Sequence, residues 1–507
     1  MVADVRDGYF KPAGIDKNGD IVACGADAGV KAAYSEEEFA AAAIRKYSDA
    51  KDARPAGAAA KVSPGEIKRT FPTTGTVRGL IVLAEFEDVK FQPGSTREYF
   101  NEKVNGVNYS AAETYGSVND YFKEQSGGLF TPEFDIVGPV TLPHERSWYG
   151  LEEKLDDLFR DAAKKAKEQY DTDFTRYDVN DDYFVDFFFV VFAGHGEAQG
   201  GGAETIWPAM KDLSYYVFDT FDGMSLSVAA CSAELKGGSG ATLDGVGTIC
   251  HEFSHILGLP DIYDAMSTGG YGMGHYDMLC YGPYNDDGRT PCSYTAMEKY
   301  TLGWIEPKVL EDPQAGVELR NFNTTNDCYF IVNPDNVNEY YTLENRQQEG
   351  FDSGLPGHGL VISYVHYDRS KWAKNTVNSP SLSLYEHVSL IAADNILKMD
   401  PENEAGDTWP GTKGKTEFTD GTQPSAVWRS SGKPVGKPVT NIRESADGTV
   451  TFDFNTTASL SIPGSDPDGS RVSYYNLQGM PVSASSMASG VYIMRGADGK
   501  TTKISVR

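Results

Sequence analysis

The chain has 507 residues, 40% of them hydrophobic, and a formal net charge of −28. That length and apolar content suit about two to four domains with real cores. So acidic a surface is repelled by nucleic acid phosphates and by anionic membranes, which excludes both as partners; the longest apolar run, FVDFFFVVFAG at 184–194, is too short to span a bilayer and carries Asp186.

In chain order, residues 1–75 read as a leading segment. A hairpin is expected around the turn at 17–20, then a helix capped by Ser35, then the Ala/Pro/Gly-rich linker KDARPAGAAAKVSPGE. Such a layout suits a pro-segment. The opening MVADVRDGYF has no basic region followed by an apolar one, so any export signal is expected to have been trimmed. From residue 76 strands and helices alternate: RGLIVLAEFED as a buried strand, SVNDYFKEQSGGLF as a capped helix, LEEKLDDLFRDAAKKAKEQY as a second helix, and DFFFVVFAG as another buried strand. A third long helix follows, and this α/β (α+β) region closes near 305. From 306 to 455 short strands with turn signals (CYFIVN, EYYTLENR, GLVISYVHYD, VTFDFN) predict an all-β sandwich. Residues 456–507 read as a polar linker and a small strand-rich module. The six cysteines form no CxxC pair. Cys280 with Cys292 and Cys231 with Cys250 are candidate disulfides, with reduced buried thiols as the alternative.

The third helix carries the chemistry, in TICHEFSHILGLPDIYD at 248–264. His251 and His255 are four apart, so one helix face presents both to a single cation. Glu252 lies about 100° round the helix, placed to take a proton from water polarised at the site rather than to bind the metal. Gly258 ends the helix in a left-handed turn. The chain then doubles back through Leu259-Pro260 and brings Asp261 towards the same ion, giving three protein ligands and an open fourth position. His275, further on, is a rival third ligand. The string H-E-x-x-H-x-x-G-x-x-D is too specific for a core helix that merely happens to contain histidines.

A second cluster, YDVNDDYFVDFFFVV, places Asp178, Asn180, Asp182 and Asp186 at positions 1, 3, 5 and 9 of a calcium-type loop, with the Phe184 carbonyl at 7. Tyr183 stands where such a loop wants glycine, and position 12 lacks glutamate. The alternative is an acidic turn before a strand.

These motifs resemble the immune-inhibitor-A-like family of secreted zinc metallopeptidases, relatives of the metzincin clan. GTICHEFSHILGLPDIYD is similar to its zinc signature, in which the third ligand is an aspartate, favouring Asp261 over His275. YDMLCYG resembles the clan's Met-turn, which implies Met278 as a floor under the metal. GSVNDYFKEQSGGLFTPEFDIVGPVTL, FAGHGEAQGG and YTAMEKYTLGWIEP are also similar, and the likeness runs over about 76–455. Where some clan members have a tyrosine two residues after that methionine, this chain has Cys280, with Tyr281 one later, which leaves the catalytic role of Tyr281 in doubt. Cys24, in ACGADAG, resembles the cysteine switch of matrix metalloproteinases, with Asp27 as an alternative plug and an ordinary thiol as the bland reading. YYNLQGMPV and SGVYIMR resemble C-terminal sorting domains for type IX secretion.

The resemblance implies a secreted or cell-surface, monomeric zinc endopeptidase, made as a proenzyme and acting on protein or peptide substrates. Its fold would be a metzincin-like catalytic domain at 76–305, a β-sandwich at 306–455 and a sorting-like module at 456–507. Zn2+ would be the cofactor, with Ca2+ at the acidic loop. The alternatives are a secreted adhesin or glycan-binding protein with a vestigial metal site, against which the intact Glu252 argues, and a zinc hydrolase acting on non-peptide bonds.

Overall fold

The computed structural model describes residues 71–151, 154–214, 220–237, 242–267, 269–379 and 383–456, with short strands before residue 24 and strands of a small sheet between 473 and 506. Contacts divide the chain into two units, Met1–Asn455 and Thr456–Arg507. Near the N-terminus Ala13–Ile15 pairs antiparallel with Ile21–Ala23, and the turn expected at 17–20 lies outside the described residues. The expected Ser35 helix, the linker, Cys24 and Asp27 lie outside the described residues.

The first large element is a six-stranded sheet. Its spatial order is Thr242–Leu243, Val228–Lys236, Phe188–His195, Gly75–Glu85 and Phe130–Thr141, and Met210–Asp212 also pairs with Val228–Lys236. The four long strands run parallel, and the two short ones lie antiparallel against Val228–Lys236. Parallel strands covered on both faces must be apolar throughout. Phe188–His195 obeys this and is buried up to its last residue. Alternate side chains then feed two cores. Leu80, Val82, Phe188 and Val190 meet Leu158, Phe159 and Ala162 of the helix Leu155–Tyr170. Ile81, Leu83, Phe189 and Val191 join Phe122 and Phe253, from the helices Val118–Gln125 and Gly247–Ile256. Val118–Gln125 begins as its sequence predicts, with Ser117 and Asp120 forming a reciprocal cap.

Beyond residue 305 a five-stranded sheet runs in the order Lys308–Val309, Cys328–Asn333, Asn336–Arg346, Gly359–His366 and Val388–Leu390. A three-stranded sheet, Gln314–Leu319, Val450–Phe454 and Val439–Glu444, shares an apolar cluster with one of its faces. The opposite face is also buried. Along Gly359–His366, Leu360, Ile362 and Tyr364 point to that shared cluster, while Val361 and Val365 enter the core containing Phe253 of the third helix. One hydrophobic core therefore runs without interruption across residue 305. Along Asn336–Arg346 the same period of two puts Glu344 and Arg346, both fully buried, on the face towards the helical region. Arg346 pairs there with Asp352 at 2.7 Å and Glu344 at 3.0 Å, and donates to the carbonyls of Ser293 and Tyr276.

The second unit is a four-stranded antiparallel sheet, ordered Pro481–Val482, Ser473–Asn476, Gly490–Arg495 and Thr501–Val506. Cys231, Cys250, Cys280, Cys292 and Cys328 are buried free thiols, so neither candidate disulfide forms. Burial pushes the thiols up, which keeps them protonated and unreactive.

Candidate metal centre

The helix Gly247–Ile256 is buried at every position except His255. Its start is forced close to a neighbouring turn. A Cβ on Gly247 would stand 1.9 Å from the carbonyl oxygen of Pro283, so no larger residue fits. Its end matches the expectation for Gly258, which has φ of +96° and donates its N–H to the His255 carbonyl at 2.9 Å. Ile249, Phe253 and Ile256 anchor the opposite side of the helix in the core.

On the other side the rings of His251 and His255 lie 4.8 Å apart and nearly perpendicular. The Nδ1 of His251 meets the Met278 carbonyl at 2.8 Å, and that of His255 meets the Leu259 carbonyl at 2.8 Å. A carbonyl only accepts, so both Nδ1 atoms carry hydrogen and, in the neutral rings, both Nε2 atoms present lone pairs. Met278 is fully buried, and its carbonyl orients a histidine. Asp261 completes the group. Its Oδ1 lies 3.4 Å from Nε2 of His251 and 3.2 Å from Nε2 of His255, and accepts no hydrogen bond. Among the described residues, these three are the one set of histidine, cysteine and carboxylate donors that converges in this way.

Three electron-pair donors facing one another need a positive charge between them. Without a metal a proton supplies it: burial opposes charging His255, but Asp261 overrides that and raises the ring to about 9. Asp261 is correspondingly held well below the usual carboxylate range, its burial outweighed by the two imidazoles. A two-nitrogen, one-oxygen donor set with fixed tautomers fits a zinc ion with one position left open.

Glu252 is 5% exposed, and its Oε2 has no hydrogen-bond partner. Burial raises this carboxyl, opposed by His251 and His255. His275 does not join the site: its Nδ1 is taken by the buried Glu404 carboxylate at 2.8 Å. Two tyrosines that the motif did not point to stand close by. The Tyr263 ring lies 6.4 Å from His251 and nearly parallel to it. Tyr284 is 44% exposed. Burial first, then nearby carboxylates (Asp261 and Glu252 for Tyr263; Glu252, Asp244 and Asp261 for Tyr284), push both phenols up and keep them as donors. Asn375, 114 positions downstream, is bonded directly to Asp261. No local pattern could have marked it.

The acidic loop has its own geometry. Asp178 accepts the N–H groups of Asp182 and Tyr183, Asp182 accepts that of Phe184, and Asp186 accepts that of Val179. The Asn180 side chain accepts from the Asp182 N–H and donates to Asp186 at 3.3 Å. Tyr183 adopts φ of +67°, the left-handed conformation that glycine would take without strain. Asp186 is buried, and burial together with Asp182 and Asp178 pushes it up to about 8.

Residues 83–305 match the model of the immune inhibitor A peptidase M6 catalytic domain. The chain is 27% identical over 270 residues to Immune inhibitor A of Bacillus thuringiensis subsp. alesti, covering 43% of this chain and 38% of the relative. It is 24% identical over 251 residues to the Pre-pro-metalloprotease PrtV of Vibrio cholerae serotype O1 (strain M66-2), covering 42% of this chain and 26% of the relative. The matches thus span well under half the length of either relative.

Proposed function

We propose, from the match of residues 83–305 to the immune inhibitor A peptidase M6 catalytic domain, that this chain is a zinc-dependent endopeptidase acting on proteins. The observation that carries this reading is the convergence of His251, His255 and Asp261 beside a buried glutamate with a free carboxylate oxygen.

His251, His255 and Asp261 would hold the zinc. Bound there, it would supply Lewis acidity, polarising the scissile carbonyl and lowering the pKa of water to about 7. Glu252 acts as general base and then as general acid. It takes the proton from the attacking water and returns it to the leaving amine, and its raised pKa suits both halves of that transfer. The Met278 and Leu259 carbonyls keep the two imidazoles in the ligand tautomer throughout. The phenols of Tyr263 and Tyr284, both protonated, are the nearby donors available to a developing oxyanion.

Further parts of the reading concern the rest of the chain. The catalytic region is of metzincin type, followed by a β-sandwich at 306–455 and a sorting-like β module at 456–507. The protein works outside the cell as a monomer, and no helix among the described residues is long and apolar enough to cross a membrane. Residues 1–75 keep it latent. Ca2+ binds the acidic loop through Asp178, Asn180, Asp182, Asp186 and the Phe184 carbonyl; the crowding of charge around buried Asp186 supports that assignment.

A casein digestion run beside elemental analysis tests the central reading. Zinc-loaded, trimmed protein should degrade casein, and a chelator should stop it. Stoichiometric zinc without any proteolysis would leave an adhesin with a vestigial site.

A further inference from the structure

The family match ends at residue 305, yet several of the polar groups that hold the Asp261 loop come from beyond it. Asn378 donates to the Ile262 carbonyl at 2.7 Å and accepts the Val388 N–H at 2.9 Å. The Glu386 carboxylate accepts the N–H groups of Tyr271 and of Gly272, the latter at 3.0 Å. Asn375 reaches Asp261 itself. Its Oδ1 accepts the Asp261 backbone N–H at 2.7 Å, and its Nδ2 donates to Asp261 Oδ2. A carboxamide does both at once, accepting at its oxygen and donating at its nitrogen. Asn375 sits in a turn with φ of +53°, just after the short helix Arg369–Ala373, on the exposed rim, while Asp261 is 6% exposed.

The consequence falls on the two oxygens of Asp261. Oδ2 is engaged by Asn375, whereas Oδ1 has no hydrogen bond and faces both histidine nitrogens. A carboxylate gripped at its backbone N–H and at one oxygen cannot swing its second oxygen into the site. We propose that Asn375 is a positioning residue that presents Asp261 to the metal through one oxygen, so that the metal site is completed by the region after the catalytic domain. This rests on the zinc reading above.

The test uses the trimmed full chain and zinc affinity measured by chelator competition. Asn375→Gly removes the carboxamide and suits the positive φ, so the turn itself is spared. Asn378→Ala breaks a neighbouring anchor that does not touch Asp261. Loss of a group that orients a metal ligand weakens affinity by about 10–100-fold. That loss is expected for Asn375→Gly, with the metal-free melting temperature near the parent's and the visible spectrum of the Co2+-substituted protein altered as the carboxylate becomes free to use both oxygens. Asn378→Ala should leave the spectrum as in the parent and lower zinc affinity less. Parental zinc affinity in Asn375→Gly would overturn the proposal. So would equal zinc loss in both variants, since that is general loop anchoring. If the parent itself holds no zinc that His251→Ala releases, the zinc reading fails instead.

Discussion

Replacing Glu252 by glutamine separates chemistry from structure. The two side chains have the same shape, and Glu252 ligates nothing in the His251–His255–Asp261 set, so zinc should remain bound. What is lost is the proton acceptor. General-base catalysis is worth about 10²–10⁴ in rate, or about 2.7–5.4 kcal/mol at 1.36 kcal/mol per decade. Stability should respond differently. The carboxyl is 5% exposed and raised by burial. An acid whose folded pKa is raised weakens the fold above its unfolded pKa, and the penalty grows as pH climbs through the folded value. The neutral amide escapes that penalty but leaves an amide group without a partner, at a cost of about 1–3 kcal/mol. The melting temperature of Glu252→Gln relative to the parent should therefore improve as pH rises above the ordinary carboxylate range, while casein turnover falls by the factor above wherever the parent's carboxylate is ionised. Near-parental turnover in a zinc-loaded variant would refute the assignment of the base.

The remaining predictions address the ligands, the acidic loop, the buried ion cluster and latency. His251→Ala, His255→Ala and Asp261→Ala should each lose zinc by elemental analysis, and His275→Ala should keep it, because His275 is held by Glu404. With Asp186 raised to about 8, its ionisation should weaken the chelator-treated protein as pH rises from about 4 towards 8; calcium should raise the melting temperature most at the alkaline end, and an Asp186→Asn variant should lack that response. Arg346→Met strips the countercharge from buried Glu344 and Asp352 and should cost about 3–5 kcal/mol in urea unfolding. The full-length chain should be nearly inactive until cut between Ala50 and the start of the strand Gly75–Glu85; Cys24→Ala should release activity without a cut if that thiol is the plug, and equal activity of intact and trimmed protein would remove latency from the account.

Much of the centre was legible because its determinants are local. The i, i+4 spacing of His251 and His255 and the turn at Gly258 follow from helix geometry, and three residues later Asp261 has little choice of place. The run Phe188–His195 announced a buried parallel strand by its unbroken apolar content. Other assignments depend on partners distant in sequence. His275 looked like a rival ligand until Glu404 was seen to take its Nδ1. Cys231, Cys250, Cys280 and Cys292 were open to pairing, and packing leaves each buried as a free thiol.

Periodicity and motif thus marked which segment brings two histidines and an aspartate together, which glutamate stands beside them, and where the strands lie, since each depends on neighbours within a few residues. Tertiary structure alone decided which oxygen of Asp261 faces the histidines, which carbonyls fix their tautomers, and that Arg346 and Asn375 reach back across residue 305 to the catalytic region. The contacts made by Met278, Arg346 and Asn375 join residues 27 to 114 positions apart. Their formation depends on how two sheets pack around one core, and no local pattern encodes that.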